Sequence, residues 1–204
     1  MNKTRIAVLV SGGGTNLQAL IDAQKSGTLS SGDIALVVSN VKSAYALERA
    51  KNAGIEAVFI SKKQNGGTQE GFEEALSGLL AEKGIELIIL AGYMSILSAG
   101  FTKKWPERII NVHPALIPSF CGKGFYGLKV HEAALNYGVK VTGATVHFVN
   151  EIPDGGRIIL QKAVEVKDGD TPEILQRRVM EEAEWILLPR AAELVSKEIM
   201  EERA

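Results

Sequence analysis

Short, almost continuously apolar runs alternate with amphipathic stretches through the first half of the chain. Residues 6–10, 34–38, 58–60 and 87–90 form the runs, while residues from 16 onward, about 44–52 and about 69–83 repeat apolar positions at helical spacing. Runs of this length without alternation suit strands covered on both faces, and the strand, helix, strand rhythm predicts parallel crossovers. Gly54 and Gly84 stand where two of these helices should stop, because glycine readily takes the left-handed conformation that ends a helix.

The rhythm changes after residue 112. A loop rich in glycine and proline covers 114–127, a helix is expected over about 130–137, and two strand-like runs follow at 141–149 and 157–166. Only residues 150–156 separate these runs, too few for a helical crossover, so they should pair antiparallel. Thr171-Pro172-Glu173 reads as N-cap, first-turn proline and favourable acid, opening a long C-terminal helix expected to kink near Pro189. The expected fold is α/β: a Rossmann-like, mostly parallel twisted sheet with helices on both faces and an antiparallel C-terminal strand pair. A single domain over 1–204 is the default at this length.

Composition narrows the function classes. The 204 residues are 46% hydrophobic, enough for a substantial core, and their formal charge of −1 with no Lys/Arg cluster disfavours nucleic acid. No uncharged apolar run is long enough to span a bilayer, and the first residues lead straight into a strand, so no membrane partner and a cytoplasmic location are expected. Cys121 is alone, which excludes an internal disulfide. With His113, His131 and His147 at no ligand-like spacing, no metal is expected.

Candidate chemistry begins at Ile109-Ile110-Asn111-Val112-His113-Pro114. Side chains alternate along a strand, so Asn111 and His113 project together while Val112 turns into the packing. An imidazole moves protons near neutral pH, and a carboxamide beside it can donate to an oxygen gaining negative charge, a pairing that suits acyl transfer. Ser11-Gly12-Gly13-Gly14-Thr15-Asn16 follows the first strand and opens the first helix, where backbone N–H groups can cradle an anion. It lacks a Walker lysine, and the second strand ends in Ser39-Asn40 rather than an acid for a ribose, which favours a phosphorylated substrate over NAD. The glycine loop, Ala91-Gly92-Tyr93-Met94 and the Asn111/His113 pair all fall at carboxyl ends of expected strands, the edge where open α/β sheets bind ligands. Asp154-Gly155-Gly156, in the turn between the last two strands, offers a carboxylate that could orient His113 and favour its protonated form.

The segments S-G-G-G-T-N-L-Q-A-L, L-A-G-Y-M-S-I-L-S, N-V-H-P-A-L-I-P-S-F and G-A-T-V-H-F-V-N-E-I-P-D-G-G occur in order over nearly the whole chain. Together they resemble the folate-dependent glycinamide ribonucleotide formyltransferase family of purine biosynthesis. The resemblance implies transfer of a formyl group from 10-formyltetrahydrofolate, a co-substrate, to the amine of phosphoribosyl glycinamide, without a metal. It implies catalytic roles for Asn111, His113 and Asp154, with Asp154 keeping His113 charged. It implies phosphate binding by Gly14, Thr15 and Asn16, and folate contacts by Met94, Ser95, Ile96 and Leu97, by Asn150, Glu151, Ile152, Pro153 and Asp154, and by Asn111. Gln69 stands on the folate side where the family often has Arg, and Ser95 likewise replaces a common Arg. The loop over 119–127 is longer than usual, and Arg157 replaces a common Pro. The substrate-binding acid of the last helix is expected at Glu184, with Glu181 and Glu182 close in register.

The small-molecule substrates leave a homodimer open. His147 reads as a packed, hydrogen-bonded residue, His131 as a helix-surface residue, Cys121 as no nucleophile and the charges of 197–203 as a solvated helix end. Methionyl-tRNA formyltransferase and formyltetrahydrofolate deformylase resemble the same core but usually carry an extra domain. A phosphate-binding regulatory module is the rival from another class, and it has no need of the Asn111, His113 and Asp154 set.

Overall fold

A computed structural model describes residues 2–203. Its strands are β1 (Thr4–Val10), β2 (Gly32–Ser39), β3 (Glu56–Phe59), β4 (Leu87–Leu90), β5 (Ile109–His113), β6 (Val141–Phe148) and β7 (Ile158–Glu165). They form one sheet in the order β3-β2-β1-β4-β5-β6-β7. Pairings from β3 through β5 are parallel, whereas β5 with β6 and β6 with β7 are antiparallel. The mostly parallel sheet with an antiparallel C-terminal pair is the architecture expected, and the antiparallel region also takes in the β5 edge.

The helices are α1 (Thr15–Ser26), α2 (Tyr45–Asn52), α3 (Gln69–Glu82), α4 (Ala99–Thr102), α5 (Leu128–Tyr137), α6 (Pro172–Val179) and α7 (Trp185–Glu201). Alternation along β1 assigns them to two layers. Ile6, Val8 and Val10 pack in one core with Leu17 and Leu20 of α1 and Leu188 and Val195 of α7. Ala7 and Leu9 face the other core, with Phe72, Leu76 and Leu80 of α3. Both faces of β1 are therefore dry, which is why its run is apolar without a break. Gly54 and Gly84 have φ of 74° and 59° just after α2 and α3, as their placement requires.

Thr4 and Arg5 extend β1 beyond the apolar run. Thr4 tolerates full burial because its Oγ1 donates to the Ser196 carbonyl at 2.8 Å. Thr171 caps α6 ahead of Pro172, as expected, and Arg178 clamps the preceding loop through Asp170 at 2.5 and 2.6 Å. The C-terminal helical segment departs from expectation. Pro189 lies inside α7, but the irregularity comes earlier, as one widened turn over Met180–Glu184. Such turns rotate the side chains that follow them, and here Glu184 is buried. Among the described residues no helix is long and apolar enough to cross a membrane.

Candidate active site

β5 delivers Asn111 and His113 to one face, as alternation requires, and the antiparallel register adds a residue from β6. Asn111 lies opposite His147, and His113 opposite Thr145. The Asn111 Nδ2 lies 3.3 Å from His147 Nε2. His147 Nδ1 is 2.8 Å from the Phe148 carbonyl, which can only accept, so the ring proton belongs on Nδ1 and Nε2 accepts from Asn111. By the same reasoning His113 carries its proton on Nε2, 2.8 Å from the Phe120 carbonyl. His147 is packed and hydrogen-bonded as expected, yet it also belongs to the site.

The turn after β6 folds back over this face and puts Asp154 between the two rings. Its Oδ2 is 3.6 Å from His113 Nδ1 and its Oδ1 is 3.6 Å from His147 Nε2. The same Oδ2 accepts the Gly122 N–H at 2.8 Å. Local sequence makes the return tight. Asp154 itself has φ of 55°, a conformation aspartate tolerates better than most residues, and a Cβ at Gly156 would lie 1.8 Å from the Phe148 carbonyl oxygen.

Electrostatics corrects one expectation. Burial lowers the His113 pKa, and the Asp154 carboxylate and Phe120 carbonyl oppose that only in part, so the imidazole titrates below its ordinary value instead of being held charged. Burial pushes Asp154 upward, but the groups around it, the donating Gly122 N–H among them, outweigh it and keep the carboxyl below the usual carboxylate range. The site of the free protein thus pairs an ionised Asp154 with a neutral His113.

A cavity of about 830 Å³ opens beside these groups. At one end it reaches Thr15 and Asn16 at the start of α1, a helix whose N-terminus has no side-chain cap. Ala46 N–H and Arg49 Nε occupy the Gly12 and Gly13 carbonyls at 3.1 and 2.8 Å and anchor the loop from behind. Gly14 takes φ of 74° where a Cβ would strike Ala46; it shapes the loop and does not line the cavity. Glu184 does line it, accepting from Asn16 Nδ2 at 2.6 Å. Burial raises its carboxyl to about 6, against the opposing Asn16 hydrogen bond. Glu181 instead pairs with Arg177 at the surface, and Glu182 is exposed, which settles the helix register.

At the other end Met94, Ser95, Ile96 and Leu97 form a wall, facing Asn150, Ile152 and Pro153. Met94, Ile96 and Ile152 are 57%, 69% and 60% exposed and form an apolar lip at the cavity mouth. Glu151 does not line the cavity, and neither does Gln69. Gln69 Nε2 instead donates to Glu73 at 2.5 Å and to the Ile96 carbonyl at 3.2 Å, bracing the wall from behind. Part of the long loop, Gly122 through Gly127, roofs the cavity. His131 overturns its expected surface position: it is fully buried beneath this roof, and neither ring nitrogen has a hydrogen-bond partner. It shares the buried face of α5 (Leu128–Tyr137) with Val130 and Ala134.

A family model described as formyl transferase matches residues 4–191. The trifunctional purine biosynthetic protein adenosine-3 of Gallus gallus is 49% identical over 195 residues, which are 96% of this chain and 19% of that protein. The chain thus spans about a fifth of that relative's length. Phosphoribosylglycinamide formyltransferase of Haemophilus influenzae is 42% identical over 179 residues, 87% of this chain and 81% of that one. Among solved structures, glycinamide ribonucleotide transformylase 1 from Symbiobacterium toebii superposes with a TM-score of 0.89 at 42% identity, covering 96% of this chain and 89% of that chain.

Proposed function

This chain belongs to the formyl transferase family, and on that footing we propose that it transfers the formyl group of 10-formyltetrahydrofolate to the amine of phosphoribosyl glycinamide. The observation that carries the reading is the placing of Asp154 3.6 Å from both His113 and His147, beside Asn111, in a cavity that ends at an uncapped helix start. The α1 N-terminus favours the acceptor's phosphate, and Glu184 with Asn16 offers hydrogen bonds to its sugar. The apolar lip takes the pterin. At about 830 Å³ the cavity lies within the roughly 300–1,000 Å³ usual for a ligand site.

Chemistry follows from the order of groups along the cavity. The acceptor amine attacks the formyl carbon, a carbon–nitrogen bond forms, and the carbonyl oxygen gains charge. Asn111 Nδ2 and His113 Nε2 are the donors that stabilise it, each exchanging its present partner for the oxyanion. Asp154, ionised, makes a proton on His113 more favourable as that charge develops. The amine proton passes to folate N10 as the carbon–N10 bond breaks, leaving formylated acceptor and tetrahydrofolate. Holding both reactants in one cavity supplies much of the acceleration.

The deciding experiment follows folate absorbance when purified protein meets 10-formyltetrahydrofolate with and without phosphoribosyl glycinamide. Turnover that depends on the amine is expected. Formate release without the amine would make the protein a deformylase, and no turnover at all would sink the assignment.

A further inference from the structure

β1 lies between β2 and β4, so the loops leaving β2 and β4 start about two strand spacings apart, roughly 10 Å. One carboxamide closes that gap. Asn40, the residue after β2, accepts from Ser11 Oγ at 2.7 Å through Oδ1 and donates to Ser95 Oγ at 2.7 Å through Nδ2. Ser11 opens the glycine loop after β1, and its Oγ also accepts the Met94 N–H at 2.9 Å. Its own N–H donates to the Gly92 carbonyl at 3.2 Å. Asn40 does not line the cavity, so these bonds serve neither substrate directly.

Resting on the formyl-transfer reading, in which the glycine loop holds the acceptor's phosphate and the wall after β4 holds the folate, we infer that Asn40 is a positioning residue that struts the two subsites together. Its two ends do different work, the oxygen on the loop and the amide nitrogen on the wall. Phosphate bound on the loop fixes Ser11, and through Ser11 and Asn40 it fixes Met94 and Ser95. The folate then meets a wall whose ordering cost has already been met, so each substrate binds more tightly in the presence of the other.

Tetrahydrofolate with phosphoribosyl glycinamide tests this directly, because the folate has no formyl group and the pair cannot react. Calorimetric titration of the full chain should show tetrahydrofolate binding at least about fivefold more tightly when the acceptor is saturating, with the same factor in the reverse order. In Asn40→Ala the factor falls by at least about half, the direct Ser11–Met94 bond being left in place, while either ligand alone binds within about threefold of its original affinity. Ser95→Ala, which cuts the other end of the strut, lowers the factor as far, and the double variant loses no more, as expected when one connection has been severed. A wild-type protein without synergy, or undiminished synergy in either single variant, overturns the inference. Failure of the wild-type protein to bind either ligand overturns the formyl-transfer reading beneath it.

Discussion

His113 presents its Nε2–H to the carbonyl oxygen of Phe120, 2.8 Å away, and not to the open cavity. Phe120 has φ of 48° and sits in the roof loop, and two residues on, Gly122 donates to Asp154. The loop therefore satisfies both reactive groups of the free protein, and a substrate oxygen must replace a backbone carbonyl. Nitrogen NMR of the free protein at pH 7 should find His113 neutral with its proton on Nε2, titrating below the ordinary value of about 6.5. A proton on Nδ1 at that pH would show that Phe120 is not the partner.

Asp154→Asn removes the anion while keeping the shape that accepts from Gly122. We expect kcat to fall by about 10²–10⁴, with KM for either substrate little changed, since the carboxylate acts on His113 as charge develops. Steady-state kinetics decides it: an unchanged kcat would mean that 3.6 Å is proximity without coupling.

Gly156→Ala tests the loop that delivers the carboxylate. The added carbon would lie 1.8 Å from the Phe148 carbonyl oxygen, so the backbone must shift and carry Asp154 with it. Loss of about 10²-fold in kcat is the expectation for a displacement near 1 Å. Wild-type turnover in the folded variant would show that the return tolerates a different path.

His131 makes stability depend on pH. Burial lowers its pKa from 6.5 to about 4, and the nearby His113 adds to the effect. Below about 6.5 the unfolded chain takes up a proton that the folded ring refuses, so stability falls from pH 6.5 towards 4, by about 3 kcal/mol in all. His131→Phe removes two unpartnered nitrogens and should flatten that limb. Denaturant midpoints from pH 4 to 7 check this, and a slope as steep as the wild type's would locate the acid sensitivity elsewhere.

Glu184 has the opposite sign. Its folded carboxyl titrates near 6 against 4.5 when free, so the protonated form is favoured by folding, and the contribution is full below pH 4.5 and lost as pH rises through 6. Keeping it ionised above pH 7 costs about 2 kcal/mol. Glu184→Gln, which still accepts from Asn16, should melt above the wild type at pH 8 and lose that advantage at pH 4.5. Equal melting differences at both values would rule out a buried, strained carboxylate.

The order of strands and helices was legible because β1, β2 and β4 are buried on both faces and read as unbroken apolar runs. The shared face of Asn111 and His113 and the glycine loop at the start of α1 were legible too, since strand alternation and the position of a helix start depend only on local geometry, whereas Glu184 was expected only from the family resemblance. His147 was harder. Its part in the site depends on β6 running antiparallel to β5, so that Asn111 and His147 meet, and a single strand's alternation cannot say which neighbour it faces. The bonding roles of Gln69 and Asn40 leave no local trace, because their partners, Ile96 and Ser95, arrive from other loops. The widened turn at Met180–Glu184 has no sequence marker, and Pro189, the residue that marks a kink in the sequence, lies beyond it inside α7. His131 shows the limit most plainly, since a polar residue on a short helix reads as solvent-facing, and only the packing of α5 reveals that it shares a buried face with Val130 and Ala134.

The pairing of Asn111 with His147 and of His113 with Thr145 has a consequence for assembly. Side chains change faces at every step along a strand, so sliding β6 by one residue against β5 would turn His147 to the far side and bring Val146 in its place. No residue of the site would have been altered, yet it would be dismantled. On the formyl-transfer reading, turnover would therefore report on the register of the sheet as well as on the residues of the site.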